Sequence, residues 1–173
     1  MIRLQQYEKG QAPERVVIAC SDARVHCSDN PFLKRKDEFG GAFVIRTAGQ
    51  LLDEAGWESL RYAVQNLPSV KEVIVMGHNR CGAVKAYEKR INGLPFFLTY
   101  IGENIRYARA LGLDQVPYPE GFTEFEALNA LGQAAAVAER VRTWREDVIV
   151  TAGLYDLRDG TYYPLLHFLP RRQ

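Results

Sequence analysis

Two short apolar runs constrain the fold of this chain more than any other feature of its sequence. Residues 16–19 (VVIA) and 73–76 (VIVM) contain no polar side chain, so we expect both faces of each segment to be buried. Strands that are apolar on both faces are typical of parallel sheets, whose faces are covered by helices. The two runs therefore predict two buried strands of a parallel sheet.

The rest of the sequence alternates between strand-like and helix-like segments. The segment 112–123 is predicted to be a loop, and the turn signal at 158–160 predicts a closing hairpin, in which Pro164 favours the sheet edge. We predict one α/β domain spanning residues 1–173, with a mainly parallel central sheet flanked by helices and a C-terminal edge hairpin. Further strands are predicted at 42–45, 148–151 and 162–166, helices at 53–66, 83–90 and 125–145, and a helical stripe at Ile101, Ile105, Ala108 and Leu111.

Charge and cysteine content exclude several classes of protein. The 22 basic and 21 acidic residues give a formal net charge of +1, so we expect neither nucleic acid nor an anionic membrane surface as a partner. No apolar run approaches the roughly 20 residues of a membrane span, and residues 1–11 show no signal-peptide pattern. The odd number of cysteines (Cys20, Cys27 and Cys81) argues against a disulfide scaffold, so we expect a cytoplasmic protein.

Residues with metal-binding side chains follow two of the predicted strands. Cys20 ends the first strand, and His78 follows the strand at 73–76, with Cys81 three positions later. Sites in parallel sheets form beyond the carboxyl ends of strands, and the three-residue spacing at a strand-to-helix turn lets His78 and Cys81 converge. With Cys20 they make a Cys2His set, which would bind zinc and leave the fourth position open, as a catalytic zinc requires.

The same residues allow simpler interpretations. A cysteine at a strand end is often a small buried apolar residue, and Asp22 and Arg24, two positions apart, could be a structural ion pair. Cys81 and His78 could instead form a nucleophile pair in a thiol-dependent hydrolase. That hydrolase would leave Cys20 and the Asp22/Arg24 pair unexplained.

Several segments resemble the β-class carbonic anhydrases. Residues 20–25 (CSDARV) are similar to the C-S-D-S-R-V signature of that family, and residues 77–83 (GHNRCGA) are similar to its G-H-x-x-C-G signature. Residues 42–49 (AFVIRTAG) and 59–64 (SLRYAV) resemble two further runs of the family. Residues 10–13 (GQAP) match the plant-type branch. The resemblance extends from about residue 10 to residue 166.

The resemblance implies a function and a set of roles. Cys20, His78 and Cys81 would bind zinc, and Asp22 and Arg24 would form a catalytic dyad beside it. The implied reaction is the reversible hydration of carbon dioxide to bicarbonate. The family assembles its sites at dimer interfaces, so a homodimer or tetramer is expected, with part of each pocket contributed by a neighbouring subunit. The residues that would line the substrate pocket are Gln11, Phe43, Ala48 and Tyr62.

Two alternatives remain open within the same fold. Related zinc enzymes hydrolyse carbonyl sulfide or carbon disulfide, which are linear molecules like carbon dioxide. A non-catalytic zinc-binding protein is the other alternative, although such a protein would need no Asp22/Arg24 pair.

Overall fold

The computed structural model describes residues 8, 10–25 and 41–169. Within these residues one five-stranded sheet has the order β2-β1-β3-β4-β5. β1 to β4 are parallel and β5 is antiparallel to β4, which confirms the predicted α/β fold and its edge hairpin. The strands are β1 (Arg15–Cys20), β2 (Ala42–Thr47), β3 (Glu72–His78), β4 (Ile149–Tyr155) and β5 (Tyr162–Phe168).

The described part of the chain contains four α-helices, and most of them begin with recognisable signals. Asp53 caps the first helix by accepting a hydrogen bond from the Gly56 N–H at 2.8 Å. Thr123 and Glu126 form a capping box at the start of the fourth. The helices are α1 (Glu54–Asn66), α2 (Gly82–Glu88), α3 (Pro95–Ala110) and α4 (Glu124–Trp144), with 3₁₀ turns at Ala48–Gln50 and Leu113–Gln115.

The boundaries differ from the predicted ones mainly at α3. The predicted stripe began at Ile101, but the helix begins at Pro95, because proline needs no N–H partner in the first helical turn. The predicted loop at 112–123 contains one 3₁₀ turn, and none of the described helices is long and apolar enough to cross a bilayer.

The main core lies between one face of the sheet and helices α1, α3 and α4. Alternate strand residues such as Val16, Ile18 and Val75 point into it, where they are fully buried against helix residues such as Leu60 and Leu131. This packing removes the helix-facing side of the sheet from water, which is the main source of its stability.

Strand register brings the two halves of the predicted site together. Ala19 pairs with Met76 across β1 and β3, so Cys20 and His78 leave neighbouring strands at the same sheet edge. Helices α3 and α4 also approach closely behind this edge. A Cβ atom at Gly132 would lie 1.9 Å from the backbone oxygen of Asn104, so only glycine allows that contact.

Candidate metal centre

Three side chains converge where β1 and β3 end. Cys20 is the last residue of β1, His78 is the last residue of β3, and Cys81 is the N-cap of α2. Their ligand atoms all lie within 4.8 Å of one another, and all three residues are buried. The structure thus brings together the three residues that the sequence proposed as metal ligands.

The hydrogen bonds of this group leave one atom free for a metal. Nδ1 of His78 lies 2.9 Å from the backbone oxygen of Asn79, a contact that requires the proton on Nδ1. Nε2 is then the unprotonated nitrogen, and it is buried without a hydrogen-bond partner among the described residues. An unpaired buried nitrogen facing two thiols is costly unless a cation binds it, so the donor set fits a zinc ion.

The two thiols of the group affect each other's acidity. A hydrogen bond from Cys81 lowers the pKa of Cys20 well below its usual range, and the backbone N–H groups of Asp22 and Gly49 lower it further. The same bond, together with burial, raises the pKa of Cys81. Without a metal, the shared hydrogen bond therefore favours the thiolate form of Cys20 and the thiol form of Cys81.

Backbone groups and an arginine fix the position of Cys20. The N–H of Gly49 lies 3.3 Å from the Cys20 sulfur, and the oxygen of Gly49 accepts a hydrogen bond from Asn129 on α4. Arg46 donates to the backbone oxygens of Cys20 and Asp22 at 2.8 and 2.7 Å. These contacts hold the end of β1 against both β2 and α4.

A buried carboxylate holds Cys81 in place. Glu126 accepts a hydrogen bond from the Cys81 N–H at 3.0 Å through one oxygen, and from the Thr123 N–H at 2.9 Å through the other. Glu126, which belongs to the capping box of α4, thus also holds Cys81 in place. This role was missed from the sequence, although the T-x-x-E pattern at 123–126 predicts the cap itself.

The predicted Asp22–Arg24 pair forms beside the three ligands. Arg24 donates through Nε and Nη2 to the two Asp22 carboxylate oxygens, at 2.9 and 2.6 Å. This hydrogen bonding holds the pKa of Asp22 well below its usual range. Asp22 lies close enough to His78, and Arg24 close enough to Cys20 and Cys81, for electrostatic interaction, so the ion pair lies beside the candidate metal group.

The four predicted pocket residues fall into two groups. Ala48 lies in the 3₁₀ turn beside Gly49, next to the metal ligands. Phe43 pairs with Val16, four positions before Cys20, which is roughly 13 Å along the strand. Its ring lies 6.4 Å from that of Tyr62, which is half exposed.

Gln11 is exposed and precedes β1, at the amino end of the strand that Cys20 terminates. One chain therefore does not bring Gln11, Phe43 and Tyr62 to its own metal ligands. Their role in a pocket stays a prediction. His26 and Cys27 lie outside the described residues.

Comparisons with known proteins identify the family. The family model described as carbonic anhydrase matches residues 15–162. Carbonic anhydrase 2 of Mycobacterium tuberculosis is 31% identical over 159 residues, which cover 87% of this chain and 73% of that protein. The carbonic anhydrase of Synechocystis sp. is 31% identical over 182 residues, which cover 94% of this chain and 64% of that protein.

Solved structures show the same fold. A Coccomyxa β-carbonic anhydrase in complex with acetazolamide superposes with a TM-score of 0.76 at 24% identity, covering 96% of this chain and 78% of that one. A tetrameric β-carbonic anhydrase of Sordaria macrospora gives a TM-score of 0.74 at 24% identity, covering 96% and 87%. With the family model matched over most of its length, this chain belongs to the β-carbonic anhydrase family, enzymes whose general reaction is the hydration of carbon dioxide.

Proposed function

We propose that this chain catalyses the zinc-dependent, reversible hydration of carbon dioxide to bicarbonate and a proton. Cys20, His78 and Cys81 would hold the zinc ion, and Asp22 and Arg24 would act beside it. The observation that carries the proposal is the convergence of two buried thiols on the unpaired Nε2 of His78, at the carboxyl ends of two parallel strands.

Zinc, when bound, supplies the Lewis acidity that makes a water molecule nucleophilic near neutral pH. The Asp22 carboxylate then accepts a hydrogen bond from the attacking water and orients its lone pair towards the carbon atom of the substrate. Arg24 keeps this carboxylate ionised and fixes its plane through two parallel hydrogen bonds.

The Asp22 carboxylate suits this role because Arg24 holds it in position while part of its side chain stays exposed to solvent. Its side chain keeps 18% of its surface exposed, and that of Arg24 keeps 55%. Asp22 is not a member of the converging ligand group, so we propose that its carboxylate lies beside the zinc ion and not among the three ligands. A small molecule can therefore reach the carboxylate from solvent while Arg24 holds it from the other side.

We propose that Gln11, Phe43 and Tyr62 complete the substrate pocket of a neighbouring copy, while Ala48 lines the pocket of its own chain. Two observations support a homodimer or tetramer. Among the described residues β2 is an edge strand, its Val44 and the nearby Tyr62 of α1 are 41% and 50% exposed, and one solved relative is described as tetrameric. A fully active monomer at micromolar concentration would contradict this part of the proposal.

The decisive test is a stopped-flow assay of carbon dioxide hydration on protein of measured zinc content. We expect one zinc per chain and a rate that rises between about pH 7 and pH 9, since two thiolate ligands weaken the Lewis acidity of the metal. Turnover of carbonyl sulfide and carbon disulfide on the same preparation tests the alternative substrates. Negligible hydration by fully loaded protein would overturn the proposal.

We further propose that the protein acts in a reducing compartment, the cytoplasm. Cys20 and Cys81 are free thiols in direct contact, and a disulfide between them would remove two of the three ligands. Measuring zinc content after oxidation of the purified protein tests this dependence, and we expect the zinc to be released.

A further inference from the structure

A chain of hydrogen bonds extends from the back of His78 to the turn after β4. Nδ1 of His78 donates to the backbone oxygen of Asn79 at 2.9 Å. The side chain of Asn79 in turn donates through Nδ2 to an Asp156 carboxylate oxygen at 2.8 Å. His78, Asn79 and Asp156 are all buried, so no water competes for these bonds.

Asn79 is bonded at both ends of its amide group. While Nδ2 donates to Asp156, Oδ1 accepts a hydrogen bond from the Leu157 N–H at 2.9 Å. The backbone N–H of Asn79 also donates to the Tyr155 oxygen at 3.3 Å. Three bonds therefore tie this residue to residues 155–157 and leave its backbone little freedom to rotate.

Asp156 ends this series of hydrogen bonds and is itself held by several donors. Its side chain is completely covered, and it accepts hydrogen bonds from the backbone N–H of Arg158 at 2.8 Å and from Nη2 of Arg158 at 2.6 Å. Arg158 is itself held by the Glu120 backbone oxygen at 3.2 Å. A buried carboxylate with this many donors is fully satisfied, so it can orient Asn79 without moving.

We propose that Asn79 and Asp156 are positioning residues for the metal ligand His78. They hold the Asn79 backbone oxygen where it must accept the Nδ1 proton, which keeps the unprotonated Nε2 aimed at the metal. This inference rests on the proposed function only in taking His78 as a ligand. It assigns Asn79 and Asp156 to retention of the metal and places neither in contact with the substrate.

A purely structural interpretation predicts something different. If the bonds of Asn79 only stabilised the turn after β4, their removal would lower the free energy of unfolding and leave metal retention unchanged. The two interpretations therefore separate on the rate at which zinc leaves the folded protein.

The test compares the Asn79→Ala variant with wild type, both loaded with zinc. Zinc release into excess chelator is followed by a colour change, and unfolding is followed separately by circular dichroism. We expect zinc dissociation about 10- to 100-fold faster in the variant, the usual effect of removing a residue that supports a ligand. Replacing zinc by cobalt gives a second readout, because the visible spectrum reports the geometry of the ligands.

Two further variants provide the controls. Asp156→Asn keeps an oxygen that can accept the Asn79 amide, so we expect a rate between those of wild type and Asn79→Ala. Thr151→Val removes a partly buried hydrogen bond from Thr151 on β4 to Glu72 on β3, far from the metal ligands, and should destabilise the fold without changing zinc release.

One further test uses only the wild-type protein and therefore does not depend on whether a variant folds. Nitrogen-15 NMR of the zinc-loaded protein should show His78 protonated at Nδ1 and metal-bound at Nε2. A proton on Nε2, or equal zinc release from Asn79→Ala and wild type, would overturn the inference while leaving His78 a ligand. A wild-type protein that binds no zinc would instead overturn the proposed function.

Discussion

Two aspartate–arginine pairs with the same local geometry lie at the same edge of the sheet. Asp22–Arg24 follows β1 and Asp156–Arg158 follows β4, and in each pair Nη2 of arginine lies 2.6 Å from a carboxylate oxygen two residues earlier. Their surroundings differ. Asp156 has no exposed side-chain surface and receives a further hydrogen bond from Asn79, whereas the described residues bond the Asp22 carboxylate only through Arg24.

The difference shows that spacing alone does not decide what an ion pair does. A carboxylate enclosed by donors has no capacity left for a small molecule, so it serves to hold the structure around it. A carboxylate held from one side, with 18% of its surface still exposed beside a metal group, can accept a hydrogen bond from a reacting water. A third ion pair, Arg145–Asp147, lies before β4, at the opposite end of the strands. Its Arg145 Nη2 lies 2.7 Å from an Asp147 carboxylate oxygen.

The largest expected effect comes from removing one of the three candidate metal ligands, which lie beside Asp22–Arg24. The Cys81→Ser variant should lose nearly all of its zinc and its hydration activity, because a hydroxyl is a much poorer zinc ligand than a thiolate. Zinc content after dialysis measures this directly. The matched control is Cys27→Ser, which should keep one zinc per chain, and full zinc retention in Cys81→Ser would contradict the ligand assignment.

The Asp22→Asn variant tests the more exposed of the two carboxylates. We expect it to keep zinc and the native fold but to lose about 10- to 100-fold in the rate of hydration, because the amide cannot accept and orient the water in the same way. Stopped-flow rates on zinc-loaded protein, with Asp147→Asn as a control of identical chemistry, measure this loss. An unchanged rate per folded molecule would make the pair structural.

The Asp156→Asn variant tests the fully buried carboxylate. Its NH2 group would face the Arg158 donors that the carboxylate now accepts, so we expect a loss of about 1–3 kcal/mol in the free energy of unfolding at pH 7. Urea unfolding followed by circular dichroism gives this value. A variant as stable as wild type would show that the pair is not needed to hold the turn.

Acid unfolding sharpens the same contrast. Hydrogen bonds from Arg158 lower the pKa of Asp156 from 3.8 to about 2 in the folded protein. The stabilisation is therefore complete above the unfolded value and is lost as the pH falls towards about 2. The free energy of unfolding of wild type should fall more steeply between about pH 4 and pH 2 than that of Asp156→Asn, and parallel curves would contradict the assignment.

The smallest effect is expected at the remote pair. The Asp147 side chain is 59% exposed, so water screens its attraction to Arg145. Asp147→Asn should change the free energy of unfolding by no more than about 0.5 kcal/mol and leave the hydration rate unaltered. A larger loss in either measurement would mean that exposure does not separate the three pairs.

Local sequence was enough to predict most of the elements and the convergence of Cys20, His78 and Cys81. The apolar, β-branched runs at 16–19 and 73–76 are typical of buried strands, and both lie in buried strands of the sheet. Because parallel strands end on one side of the sheet, Cys20 and His78 were expected on that side, and the pairing of β1 with β3 makes them neighbours. The Asp22–Arg24 ion pair could also be predicted from local sequence, since its partners are two residues apart.

Tertiary structure alone decided which polar residues support the ligands. Glu126 reaches the Cys81 N–H across 45 positions of sequence, and Asp156 reaches Asn79 across 77. It also decided that Phe43 and Tyr62 lie away from the metal ligands of their own chain. Periodicity and spacing report only on neighbours along the chain, whereas these contacts depend on how helix α4 and the turn after β4 pack against the metal-binding loop.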